Sequence, residues 1–140
     1  MHLSINYRVV IDTNVFISAL LWNGNPEKVL ELWRKERILL LLSPFLSSEI
    51  FSILERSNVD NEDIQYFIQS LENHSVKIIP VTNITLCRDP KDNEILSLAV
   101  NGDANYIITG DRDLLTFRNV KGVTIVNPKE FLQIMKSSKK

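Results

Sequence analysis

The sequence lacks most of what would assign it at a glance. It has one cysteine, Cys87, so no intrachain disulfide and no thiolate cluster can form, and a buried, inert thiol in a reducing compartment is the expectation. It has no excess of either charge: a net charge of −1 and a pI near 6.1 exclude a histone-like partner and argue against tight non-specific nucleic-acid binding, leaving room only for a local basic patch. Its greasiest run, Ile38–Leu42, is far shorter than the ~20 residues of a membrane span. The stretch from Met1 to Arg8 has no apolar signal core, so a soluble cytoplasmic protein is expected. No repeat, low-complexity tract or linker is visible. What is present is 44% hydrophobic residues in 140 positions, which suits one domain over residues 1–140 with a frayed tail at 136–140.

The hydrophobic residues fall in an alternation of strands and helices. Val9-Val10-Ile11 is a β-branched run of the kind buried on both faces of a sheet, and it stops at a carboxylate, Asp12. Tyr106-Ile107-Ile108-Thr109 stops the same way, at Gly110-Asp111. Ile38–Leu42, Val76–Val81 and Val123–Val126 are further candidate strands, with Pro80 shortening the third or placing it at an edge. Apolar residues almost all round 14–22 predict a helix packed into the sheet and ended by Asn23-Gly24-Asn25. Asn25-Pro26, Ser43-Pro44 and Asp89-Pro90 are cap-then-proline openings of three more helices. Asp60 opens another that runs through Glu72, and a short one follows Pro128. The pattern calls for an α/β fold with a largely parallel sheet wrapped on both sides, whose strand carboxyl ends are where ligands bind.

Two acids interrupt apolar helix stripes. Glu49 stands three residues after Leu46 and four before Ile53, where a plain core helix would carry an aliphatic. Asp92 precedes Ile95, Leu96 and Ala99 at helical spacing, so it points inward from a first turn, where a helix terminus favours an anion. With Asp12 and Asp111 at strand tips, four carboxylates are singled out. Two carboxylates ~4 Å apart oppose each other by about 4 kcal/mol at an effective dielectric of roughly 20, so converging acids need a counter-charge. No lysine or arginine falls at the same inward positions, and the expected counter-charge is a hard divalent cation, Mg²⁺ or Mn²⁺. His2, His74 and Cys87 stand outside the set, which disfavours zinc. Such an ion suits phosphodiester hydrolysis by an activated water. Arg34, Lys35, Arg37, Arg112, Arg118 and Lys121 offer a scattered basic surface, and Trp22 and Trp33 are assigned to packing or to an oligomer interface.

Ile11-Asp12-Thr13-Asn14-Val15, Ser48-Glu49-Ile50, Asp89-Pro90-Lys91-Asp92-Asn93 and Ile108-Thr109-Gly110-Asp111-Arg112-Asp113-Leu114 resemble, in order and spacing, the acidic motifs of PIN-domain ribonucleases, the family that includes the VapC toxins of toxin–antitoxin pairs. The likeness spans essentially the whole chain. It implies a three-layer sandwich around a parallel five-stranded sheet of order 3-2-1-4-5, with Asp12 beside Asp111 at the switch point. It implies RNA cleavage with one or two Mg²⁺ or Mn²⁺ ions at Asp12, Glu49, Asp92 and Asp111, Asp113 as an auxiliary ligand, and Asn14 and Thr109 orienting their neighbours. An antitoxin partner is implied as well. A homodimer is a further expectation, because at near-neutral charge a second subunit or the metals must help to hold RNA. One departure stands out: Asn93 occupies the place after the third acid where the family often has alanine.

Each motif taken singly has a bland reading. Asp12 and Gly110-Asp111-Arg112-Asp113 could be turn or cap residues, Glu49 a rim acid paired with Arg56 or Arg88, and Asp89 a helix cap. Other functions fit less of the pattern. A haloacid-dehalogenase-like phosphatase needs a second aspartate where Asn14 stands, and a receiver module needs a late-strand lysine that Val126-Asn127-Pro128 lacks. A non-catalytic RNA-binding module, or a PIN nuclease with no toxin role, completes the alternatives.

Overall fold

A computed structural model describes residues 6–137. Tyr7–Ile11 forms β1, in which Val9, Val10 and Ile11 are all fully buried. Successive strand side chains point to opposite faces, so both faces of the sheet are covered, as a β-branched run without polar interruption requires. Helices α1 (Thr13–Leu21) and α2 (Asn25–Arg34) lead to β2 (Ile38–Leu42), and α3 (Pro44–Glu55) and α4 (Asn61–Asn73) lead to β3 (Val76–Lys77). The chain then returns through α5 (Pro90–Asn101) to β4 (Tyr106–Ile108), followed by α6 (Arg112–Phe117), β5 (Asn119–Val120), β6 (Val123–Val126) and α7 (Pro128–Ser137).

The sheet order is β3-β2-β1-β4-β6-β5, parallel throughout except for β5. The five parallel strands follow the expected 3-2-1-4-5 order, and the sixth is an addition. It arises because Lys121 and Gly122, both at positive φ (49° and 90°), close a two-residue hairpin that folds Val120 back onto Val123. The strand expected over Val76–Val81 is only two residues long, since Pro80 offers no N–H and Ile79 and Val81 lie exposed beyond the edge. Helix α6 was not foreseen either; its six residues are too few for apolar periodicity to register. Gly24 rather than Asn25 precedes α2, and Ser43 caps α3 by accepting the Leu46 N–H at 3.1 Å. Of the tail expected to fray, Lys136 and Ser137 close α7, whereas 138–140 lie outside the described residues. No helix among the described residues is long and apolar enough to cross a membrane.

Helix α5 packs across β1, β2 and β4, and it also holds the irregular segment 78–89. Asn93, Ser97 and Asn101 repeat every four residues and so share one helix face. Asn101 accepts the N–H groups of Val81 and Thr82 (3.2 and 3.1 Å) and donates to the Thr82 carbonyl at 2.8 Å. Ser97 accepts the Ile84 N–H at 2.9 Å, and Asn93 bonds both backbone groups of Cys87, its Oδ1 accepting at 2.8 Å and its Nδ2 donating at 3.4 Å. Alanine at position 93 could make neither bond.

Gly102 ends α5 against the core. A methyl group there would meet Leu41 Cδ1 at 2.7 Å and Ile78 Cγ1 at 3.2 Å. Gly102→Ala is therefore expected to cost about 1–3 kcal/mol by overpacking, read as a lower urea midpoint with the slope unchanged. An unshifted midpoint would mean that the neighbouring side chains yield freely.

Candidate active site

The register of β1 against β4 builds the site. Ile11 pairs with Ile108, so the next residue of each chain segment emerges at the same sheet edge, and the Asp12 N–H extends the ladder onto the Ile108 carbonyl at 3.0 Å. Thr109, fully buried, donates its hydroxyl to Asp12 Oδ2 at 2.7 Å and accepts the Asp111 N–H at 3.0 Å. One side chain thereby sets the spacing between both acid-bearing strand ends. Asp111 in turn caps α6, accepting the Asp113 N–H at 2.8 Å.

Asp92 arrives from the first turn of α5 and is only 6% exposed. It joins Asp111 and Asp113 in a trio in which one carboxylate oxygen from each lies within 4.8 Å of the other two. Asp12 and Glu49 flank this trio rather than entering it. Glu49 reaches over from α3 and accepts the hydroxyl of Thr13 at 2.5 Å, a partner that nothing in the sequence pattern had flagged. Thr13 follows Asp12 directly, so the same residue step that places one acid secures another.

Crowding shows in the acid–base properties. Burial raises the pKa of Asp12; the Thr109 and Thr13 hydrogen bonds work against this, while the charges of Asp111 and Glu49 reinforce it. Asp92 is pushed up to about 7, first by burial and then by the charge of Asp111 and a hydrogen bond to it. Burial, and then the acids Asp92, Asp111, Asp113 and Asp89, push the Cys87 thiol up.

Basic side chains reach the rim, though not the inward positions of the acids. Lys91 Nζ lies 3.4 Å from Glu49 Oε2, and Arg88 Nη2 lies 3.1 and 3.0 Å from the two oxygens of Asp113. Glu49 thus pairs with Lys91, and not with Arg56 or Arg88. These cations are 66% and 86% exposed, and among the described residues none pairs with Asp12, Asp92 or Asp111. Helical phase could not place them, since Arg88 sits in the irregular segment and Lys91 on the outer side of a first turn. Of the basic residues singled out in sequence, Arg112 adjoins the acids on α6. Arg34, Lys35 and Arg37 cluster where α2 runs into the amino end of β2, the opposite edge of the parallel sheet from Asp12.

Asn14 makes no hydrogen bond to Asp12. It is exposed, its side chain makes no hydrogen bond among the described residues, and it lines a cavity of about 370 Å³ with Ser18, Asn25, Gly110 and Lys129. Asp89 caps α5 through the Lys91 N–H at 3.0 Å. Trp33 is buried with its indole N–H on the His74 carbonyl at 2.7 Å, whereas Trp22 stands 69% exposed at the end of α1. His2 lies outside the described residues.

A family model described as PIN domain matches residues 8–113. The uncharacterized protein MJ1680 of Methanocaldococcus jannaschii is 40% identical over 143 residues, spanning 92% of each chain. Among solved structures, FitAcB from Neisseria gonorrhoeae superposes with a TM-score of 0.54 at 18% identity, over 86% of this chain and 98% of that one. The RRP44 PIN domain of T. brucei does so with a TM-score of 0.53 at 13% identity, over 96% and 84%. At such identities the two structures speak to the fold alone.

The raised pKa of Asp92 makes metal-free stability depend on pH. An acid whose pKa is 3.8 unfolded and about 7 folded keeps its proton in the folded state, so its contribution is lost as pH rises between those values. Asp92→Asn removes the charge permanently. In EDTA it is expected to raise the melting temperature by about 3–8 °C at pH 8 and by less than half as much at pH 5, because only part of the window between the two pKa values has then been crossed. Scanning fluorimetry at the two pH values measures this, and an equal response at both would show that Asp92 is not the titrating group.

Proposed function

This chain belongs to the PIN-domain family of nucleases, and on that premise we propose that it is a divalent-metal-dependent endoribonuclease, the toxin of a toxin–antitoxin pair acting on cytoplasmic RNA. The observation that carries the proposal is the trio of Asp92, Asp111 and Asp113, with oxygens within 4.8 Å and no cation on its two inner members among the described residues. Such a set is costly unless protonated or neutralised.

The donors fit Mg²⁺ or Mn²⁺. All are carboxylate oxygens, and among the described residues no histidine or cysteine joins the group. Asp92, Asp111 and Asp113 would hold one ion, with Asp12 and Glu49 placed to share it or to hold a second. When bound, the ion acidifies water and offsets charge on the phosphate. The protein supplies the rest. Thr109 holds Asp12 and the Asp111 backbone in one geometry, and Thr13 orients Glu49. Asp12, held at the strand end by the Thr109 hydroxyl, is placed to take the proton of the attacking water at its carboxylate. Asn14 in place of a second aspartate speaks against an aspartyl-phosphate route. The VapC-like order of the four acidic motifs supports the toxin role and an antitoxin partner.

With Mn²⁺ or Mg²⁺ the protein is expected to cleave RNA and not an aryl phosphate, and EDTA is expected to abolish cleavage. Thr109→Val should weaken metal affinity by about 10–100-fold, as loss of a group supporting a ligand does, and Asp111→Asn by more. Induced expression should arrest growth and Asp12→Asn should relieve the arrest. Equal toxicity of the two forms would count against hydrolysis as its cause, and aryl-phosphate turnover without RNA cleavage would replace the nuclease with a phosphatase.

A further inference from the structure

An RNA strand must approach an edge that carries five carboxylates, in a chain of net charge −1. The field at such an edge repels phosphate unless fixed cations stand beside it. Arg88 and Lys91 are the cations that pair with acids there among the described residues. We propose that these two residues bind the RNA backbone, one phosphate on each flank of the inner acids, a role that presupposes the nuclease activity proposed above.

Their placement fits the role. Arg88 leans on Asp113, at the α6 side of the trio, and Lys91 on Glu49, at the α3 side, so the pair brackets the trio. Both are largely exposed, yet the chain beside them is held: Asn93 bonds both backbone groups of Cys87, the residue before Arg88, and Asp89 accepts the Lys91 N–H. The cations are therefore presented to solvent from a stiff mount, which reduces the entropy lost on binding. Arg88 spends only Nη2 on Asp113, and its Nη1 and Nε have no partner among the described residues. A guanidinium so anchored can take a phosphate oxygen on its free N–H groups without leaving the carboxylate. Lys91 has one loose contact, at 3.4 Å, of the exposed kind that holds weakly. Asn93 thereby acquires a functional reason, as the residue that fixes the bearing of Arg88.

Contacts of this kind are read without sequence, through salt. The test is fluorescence anisotropy of a labelled single-stranded RNA with the full chain, Ca²⁺ replacing Mg²⁺, across a series of KCl concentrations. Arg88→Gln and Lys91→Gln are each expected to lower the slope of log K against log salt by about 0.7 and to weaken binding several-fold at low salt. Arg88→Lys should restore the slope but not the full affinity, since the charge returns without the fork. Arg34→Gln, at the far edge, should leave both unchanged. Wild-type slopes in both glutamine variants, with circular dichroism showing intact folds, would overturn the proposal. If the wild type also cleaves the same RNA with Mn²⁺, only the assignment of these cations falls. A wild type that neither binds RNA with Ca²⁺ nor cleaves it with Mn²⁺ overturns this proposal and the nuclease reading together.

Discussion

The pairing of β1 with β4 in parallel register forces like charges together, and much of the surrounding structure answers that one fact. Asp12 and Asp111 issue from adjacent strand ends, and Asp92 is pressed against Asp111 by α5. The fold offsets the repulsion with dipoles. Asp12 precedes α1, Asp111 caps α6 and Asp92 lies in the first turn of α5, so three helix amino termini turn their partial positive charge toward the same acids. Thr109 and Thr13 add hydroxyl donors. Burial first, and then the repulsion that these leave unbalanced, raises the pKa values of Asp12 and Asp92. Stability given up in this way is the usual condition of a site that waits for a charged ligand.

Helix α5 joins the sheet to the rim of the site. Its apolar side, with Ile95, Leu96, Leu98 and Ala99 buried, anchors it over three strands. Its polar row of Asn93, Ser97 and Asn101 replaces missing secondary structure with side-chain bonds to an irregular segment. A strand running to Val81 would have satisfied the same backbone groups through the sheet, but Pro80 interrupts it. The segment instead turns along the helix and delivers Arg88 to Asp113.

Several errors of sequence reading share a cause. Helix α6 and strand β5 are too short to carry a period, although the Lys121-Gly122 pair between two valines was a usable hairpin signal. Arg34, Lys35 and Arg37 were read only as scattered surface charge, with no edge of the sheet assigned to them. Nothing local tells which edge of a parallel sheet a charge will occupy.

The sequence by itself determined the alternation of strands and helices, the two strands that end in aspartate, and the inward phase of Asp92 and Glu49. Each of these is a local matter of period, cap or breaker, and local rules operate on the chain before it folds. Only the tertiary structure decided that Asp113 joins Asp92 and Asp111 in one tight group, that Thr13 and Lys91 meet at Glu49, and that Arg88 comes to rest on Asp113. Those contacts join segments far apart in sequence, and their distances follow from register, crossover and the bend of an irregular segment, quantities that no residue carries alone.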